Sequence, residues 1–150
     1  MNPIDETARS QTESISLEFD LHHSPEKVWR ALTDPVLLAQ WLLPVVDLEL
    51  EPGAAFTFKT APHPGWDGTV NCRFVEIEPP RKLRYTWVVG DERGIDTVVT
   101  FTLKPTEKGT RLSLVHTGFK LPEQKGALGG TRYGWEMMQE KLVELLARTS

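Results

Sequence analysis

Cysteine is nearly absent: Cys72 is the single thiol in 150 residues. That excludes an intrachain disulfide and any metal site built on several cysteines, and it fits a reducing, cytoplasmic setting. Positive charge is in short supply, with 17 Lys+Arg against 21 Asp+Glu for a net charge of −4. Nucleic acids and anionic membrane surfaces call for a concentrated positive field, so neither is expected as a partner. No apolar run is long enough for a membrane span, and the N-terminus lacks the basic-then-apolar pattern of a signal segment. Histidine is sparse too, at four residues. The adjacent His22 and His23 point to opposite sides of a strand and cannot chelate one ion, so no metal and no cofactor is expected.

What is present is an ordinary globular composition, 39% hydrophobic and 25% charged, in a length that suits one domain with its own core. Residues 1–13 are polar and without apolar period, which predicts a flexible tail ahead of a domain over 14–150. Ile15, Leu17, Phe19 and Leu21 then alternate with polar residues, the mark of a strand with one buried face. Two short helices follow at 25–33 and 35–41. Each carries a start signal: Ser24 and Asp34 as N-caps, Pro25 and Pro35 at the first helical position.

The middle of the chain reads as β structure. Asp47–Glu51 and Ala55–Thr60 flank Pro52-Gly53 as a hairpin, and Pro62-His63-Pro64-Gly65 marks a loop. From Asp67-Gly68 a longer strand puts Val70, Cys72 and Phe74 on one face, then Val75 and Ile77 on the other, which predicts a bulge near Phe74. Strands over Leu83–Val89, Ile95–Lys104 and Thr110–Thr117 complete the set. Their short connections make neighbours antiparallel. The glycines Gly126, Gly129 and Gly130 suggest a loose segment, and from about Thr131 the spacing of Trp135, Met138, Leu142, Leu145 and Leu146 predicts one long helix. The result is an α+β domain in which a curved antiparallel sheet of about six to seven strands wraps a C-terminal helix. A curved sheet against a straight cylinder leaves gaps to be filled by bulky side chains or by a guest.

The run His23-Ser24-Pro25-Glu26-Lys27-Val28-Trp29-Arg30-Ala31-Leu32-Thr33-Asp34-Pro35 resembles a known family. So do Trp41-Leu42, Pro52-Gly53, Gly68-Thr69-Val70, Glu76-Ile77-Glu78-Pro79-Pro80-Arg81-Lys82-Leu83, Tyr85-Thr86-Trp87, Gly109-Thr110-Arg111-Leu112, His116-Thr117-Gly118-Phe119 and Gly134-Trp135. In this order, over about residues 14–147, they are similar to the activator-of-Hsp90-ATPase-homologue-1-like family of the START-like, Bet v 1-like superfamily. The resemblance implies the helix-grip fold, which agrees with the element order read from the residues. It also implies a hydrophobic or aromatic small molecule bound between sheet and long helix. Hsp90 itself is not expected as a partner, since the co-chaperone that gives the family its name carries an additional domain.

The residues expected to contact such a ligand are Trp41, Phe56, Phe58, Trp66, Tyr85, Trp87, His116, Phe119, Trp135 and Met138. No catalytic residue is assigned. A second reading places cyclase, aromatase or hydrolase-like chemistry in the same cavity, with His116, on the apolar face of Leu112 and Leu114, as the proton-transfer group. A third is a co-chaperone-like interaction through the outer face of the sheet, where Val88, Val98 and Val115 lie among Arg84, Thr86, Asp96, Thr100 and Thr102. Arg111, Arg132 and Glu136 are the charged groups expected nearest the cavity mouth.

Overall fold

The structure, a computed structural model, describes residues 12–62, 68–89, 94–120 and 124–149. Strand β1 (Thr12–Leu21) leads into helices α1 (Pro25–Thr33) and α2 (Pro35–Trp41). Strands β2 (Val45–Val46), β3 (Ala55–Lys59), β4 (Thr69–Glu78), β5 (Lys82–Val89), β6 (Ile95–Pro105) and β7 (Thr110–Lys120) follow, and helix α3 (Lys125–Arg148) ends the chain. All seven strands form one antiparallel, curved sheet in the order β1-β7-β6-β5-β4-β3-β2. This is the helix-grip arrangement expected from the sequence.

Helices α1 and α2 begin where their caps require. The Ser24 side chain accepts from the Lys27 N–H at 3.2 Å, and Asp34 Oδ1 accepts from the Val36 N–H at 2.9 Å. Asp34 also ends α1, because its own N–H still donates to the Arg30 carbonyl while Pro35 can make no such bond. The Trp41 indole N–H donates to the Ala31 carbonyl at 2.8 Å and locks the two helices together.

Two bulges shape the inner face. Phe74 pairs with Tyr85 and Glu76 with Arg84, so Val75 is the extra residue, turned outward, and Ile77 returns to the core side opposite Leu83. On β7, Ser14 pairs with Thr117 and Glu13 with Phe119, leaving Gly118 without a partner. Its φ of +109° and the backbone of Asp96 and Thr97 at 3.3 Å from a would-be Cβ explain why glycine stands there. The bulge turns both His116 and Phe119 inward.

Several boundaries differ from those expected, β7 running on to Lys120 where an end at Thr117 was expected. Strand β1 starts at Thr12, inside the segment read as a tail. The strand expected over Asp47–Glu51 is instead the two-residue β2 at Val45–Val46; Asp47 has φ +61°, which breaks an extended run. Helix α3 starts at Lys125 and so contains the glycines read as loose. Trp135, Leu142, Leu145 and Leu146 are buried, and this packing outweighs the cost of about 1 kcal/mol that each interior glycine imposes.

Candidate functional site

Twenty-four residues make α3 about 36 Å long. Its C-terminal half is held by Leu142, Leu145 and Leu146. Its N-terminal half stands off from the sheet and bounds a cleft of about 370 Å³. On the helix side the walls are Gly126, Ala127, Gly130, Thr131, Gly134 and Met138; on the sheet side they are Trp87, Val89 and Ile95, with Leu43 from the segment after α2. Gly126, Gly130, Gly134 and Met138 recur every fourth residue, so they share one stripe of the helix. A Cβ on Gly126 or Gly130 would meet no atom within 4 Å, and one on Gly134 would meet only the Met138 methyl at 3.7 Å. Backbone geometry and packing therefore do not demand these glycines. What their missing side chains provide is the space.

The floor beneath Trp87 is a buried hydrogen-bonded chain. The Trp135 indole N–H, which can only donate, meets His116 Nδ1 at 3.0 Å, so that nitrogen accepts and carries no proton. In the neutral ring the proton then sits on Nε2, which donates to Thr97 Oγ1 at 2.7 Å. The Thr97 hydroxyl in turn donates to the Trp87 carbonyl at 2.8 Å. His116 has no exposed surface, and burial pushes its pKa down to about 3. Both nitrogens are committed and neither lines the cleft, so the ring is held as a neutral structural link.

The residues singled out in the sequence divide into three groups. Trp87 and Met138 line the cleft. His116, Phe119 and Trp135 are buried behind it, with the Trp87 and Trp135 ring centroids 5.5 Å apart. Phe56, Phe58 and Tyr85 pack with Phe74 and Phe101 under the far half of the sheet, the Phe56 and Phe74 centroids lying 4.5 Å apart, and Trp41 meets Phe101 edge-on. Burial raises the Tyr85 pKa well above its ordinary value and raises that of the Cys72 thiol in the same core. Trp66 and His63 lie outside the described residues. Arg111 is not at the cleft mouth: it pairs with Asp20 at 3.0 Å and reaches Glu18 at 3.7 Å on the outer face of the sheet. Sequence reasoning missed Leu43, Val89, Ile95 and the helical small residues; for Gly126, Ala127 and Gly130 the cause was that the first turns of α3 were assigned to a loop. The four-residue spacing of Gly126, Gly130 and Gly134, in phase with Met138, was the available signal.

Among the described residues no three His, Cys, Asp or Glu side chains are grouped to hold a metal, and no helix is long and apolar enough to cross a membrane.

A family model, activator of Hsp90 ATPase homolog 1-like protein, matches residues 22–147, most of the chain. The chain belongs to this family. Among solved structures, the Mesorhizobium loti protein MLL2253 is similar at 38% identity and a TM-score of 0.84, over 92% of this chain and 99% of that one. Protein BH1534 of Bacillus halodurans is similar at 28% identity and a TM-score of 0.74, over 91% and 99% of the two chains. CalU16 from Micromonospora echinospora follows at 26% identity and a TM-score of 0.69, over 91% and 76%. No curated protein matches the sequence. Within the Hsp90-activator-homologue-like fold, the cleft occupies the gap between sheet and long helix where the sequence led one to look for a guest.

Proposed function

We propose that this protein reversibly binds an apolar small molecule in the cleft between the N-terminal half of α3 and the ends of β5 and β6. One observation carries the reading: Gly130 and Gly134, interior to α3, costly to helix stability and not required by the backbone, together with Gly126 in the first turn, border about 370 Å³ of space lined almost wholly by apolar groups. A chain that needed only a closed core would be more stable with alanine or leucine at these positions. The volume suits a compact guest of one to a few rings.

Nothing in the cleft favours catalysis. Its described lining contains no titratable side chain, and the His116 ring has both nitrogens occupied elsewhere. The outer face of the sheet offers little for a protein partner. Val98 has Thr86 and Thr117 directly across from it, Val115 has Thr100 and Ser16, and Val88 has Asn71 and Asp96, so each valine is interrupted by polar neighbours.

Native mass spectrometry of protein purified from its own host, with titration of the purified protein by the hydrocarbon tetralin, tests the proposal. Wild-type protein binds tetralin, and Gly130→Leu, whose side chain enters the cleft, remains folded and loses binding at least tenfold. A folded Gly130→Leu variant that binds tetralin as well as the wild type overturns the reading.

A further inference from the structure

Cations are outnumbered in this chain, yet Arg81, Lys82, Arg84, Lys104 and Arg111, five of its 17 lysines and arginines, gather at one end of the sheet. Arg81, Lys82 and Lys104, with Thr102 and Glu78, line a concavity of about 470 Å³ between the β4–β5 turn and the end of β6. It lies at the opposite end of β5 and β6 from the apolar cleft. The turn is fixed to β6: the Arg81 N–H donates to the Glu78 carbonyl at 2.6 Å, and the Arg81 carbonyl accepts from the Leu103 N–H at 2.8 Å. The basic groups therefore stand on anchored backbone.

Their charges are answered unevenly. Arg81 pairs with Glu78 at 3.1 Å and Arg111 with Asp20 at 3.0 Å, while Glu76 is shared between Lys82 at 3.3 Å and Arg84 at 3.7 Å. Lys104 has no ion pair among the described residues. It stands directly opposite Arg111 of β7, and Lys82, which faces Thr102, is its diagonal neighbour across β5. Like charges across a strand pair cost stability, and such a local conflict marks a position kept for something other than the fold. Around the concavity the four cations Arg81, Lys82, Arg84 and Lys104 meet only the two carboxylates of Glu76 and Glu78. A dianion restores the balance. The Thr102 side chain, which makes no hydrogen bond to a described residue, adds a neutral donor.

We infer that this concavity is a second binding site, which takes the phosphate group of a small soluble phosphate monoester. Such a group carries close to two negative charges at neutral pH. Lys104 supplies the compact unpaired charge, Arg81 a planar fork for two oxygens, and Thr102 a hydroxyl donor. The carboxylates on both flanks, Glu76 and Glu78 to one side and Glu18 and Asp20 to the other, repel an extended anionic surface, so a single small anion fits where a membrane does not. The site is separate from the cleft, and the inference does not rest on what the cleft binds.

The test titrates glycerol 3-phosphate into ¹⁵N-labelled protein at low ionic strength. Acetate and glycerol serve as the monoanionic and uncharged comparisons, and phosphatidylcholine vesicles containing phosphatidic acid present the same group on a membrane. Glycerol 3-phosphate is expected to bind more tightly than acetate or the vesicles, and to shift the amides of Arg81, Thr102 and Lys104. Lys104→Gln, at an exposed position, weakens it about three- to tenfold, whereas Lys59→Gln, an exposed cation on β3, leaves it unchanged. Without ligand, Lys104→Gln melts no lower than the wild type, and glycerol 3-phosphate raises the wild-type Tm more than that of the variant. Failure of the wild type to bind glycerol 3-phosphate, equal affinity for acetate, tighter binding to the vesicles, shifts confined to other residues, or equal losses in the two variants overturns the inference. The wild-type titrations need no variant to fold.

Discussion

Trp135 and His116 share a buried hydrogen bond of 3.0 Å that fixes the imidazole tautomer and ties α3 to β7. The bond exists only while His116 is neutral. A proton on Nδ1 would place two donors face to face, and burial already disfavours the charged ring, which lowers its pKa.

Stability should therefore fall on acidification. The folded-state pKa of His116 is about 3 and its ordinary value is 6.5. Between them the unfolded chain binds the proton and the folded chain does not, so the contribution is complete above 6.5 and is lost as pH falls through the folded value. The slope in this window is about 1.4 kcal/mol per pH unit from this group. Urea unfolding from pH 7 to pH 4 checks the sign, and His116→Gln is expected to flatten the slope.

Removing the acceptor has its own cost. His116→Leu leaves the Trp135 indole N–H unpaired in the core and is expected to destabilise the fold by about 2–4 kcal/mol. Adding Trp135→Phe removes the stranded donor, so the double variant should lose less than the sum of the two single losses. Chemical denaturation of the three variants provides the comparison.

The glycines separate by role. Gly130→Ala meets no neighbour and adds a good helix former, so it should stabilise by about 1 kcal/mol. Gly109→Ala drives its Cβ into the backbone of Leu21 and His23 and should destabilise by more than that amount. Melting temperatures moving in opposite directions are the expected outcome.

The caps of the short helices are worth testing singly. Ser24→Ala and Asp34→Ala each remove a side-chain acceptor from a first-turn N–H, and each should cost about 1 kcal/mol in denaturant titration.

Cys72 sits on β4 opposite Phe56 of β3, buried with its pKa raised by desolvation, so the native thiolate population is very small. Alkylation by iodoacetamide at neutral pH should be negligible in folded protein and proceed on unfolding, as mass spectrometry can read.

What the sequence disclosed depended on how local the cause was. The bounds of α1 and α2 were legible because a cap and a following proline act within one turn. The bulge at Val75 was legible because a change of face in an alternating strand needs an extra residue. The start of α3 was not, since Gly126, Gly129 and Gly130 read as breakers until the burial of Trp135 and the leucines beyond it is known. That error hid the part of the cleft wall formed by Gly126, Ala127 and Gly130. Phe56, Phe58 and Tyr85 are buried yet interlock with one another, and only packing in three dimensions distinguishes rings that fill from rings that line.

The sheet order places β1 beside β7, so the first described strand is paired only with the last, Leu21 opposite Thr110 and Ser14 opposite Thr117. Every other adjacent pair joins strands that follow one another in sequence. The hairpins from β2 to β7 can zip successively across short turns, but the β1–β7 ladder must close a loop that encompasses both short helices and five strands. That closure brings distant parts of the chain together at a chain-entropy cost the successive hairpins avoid, and it is expected to slow folding.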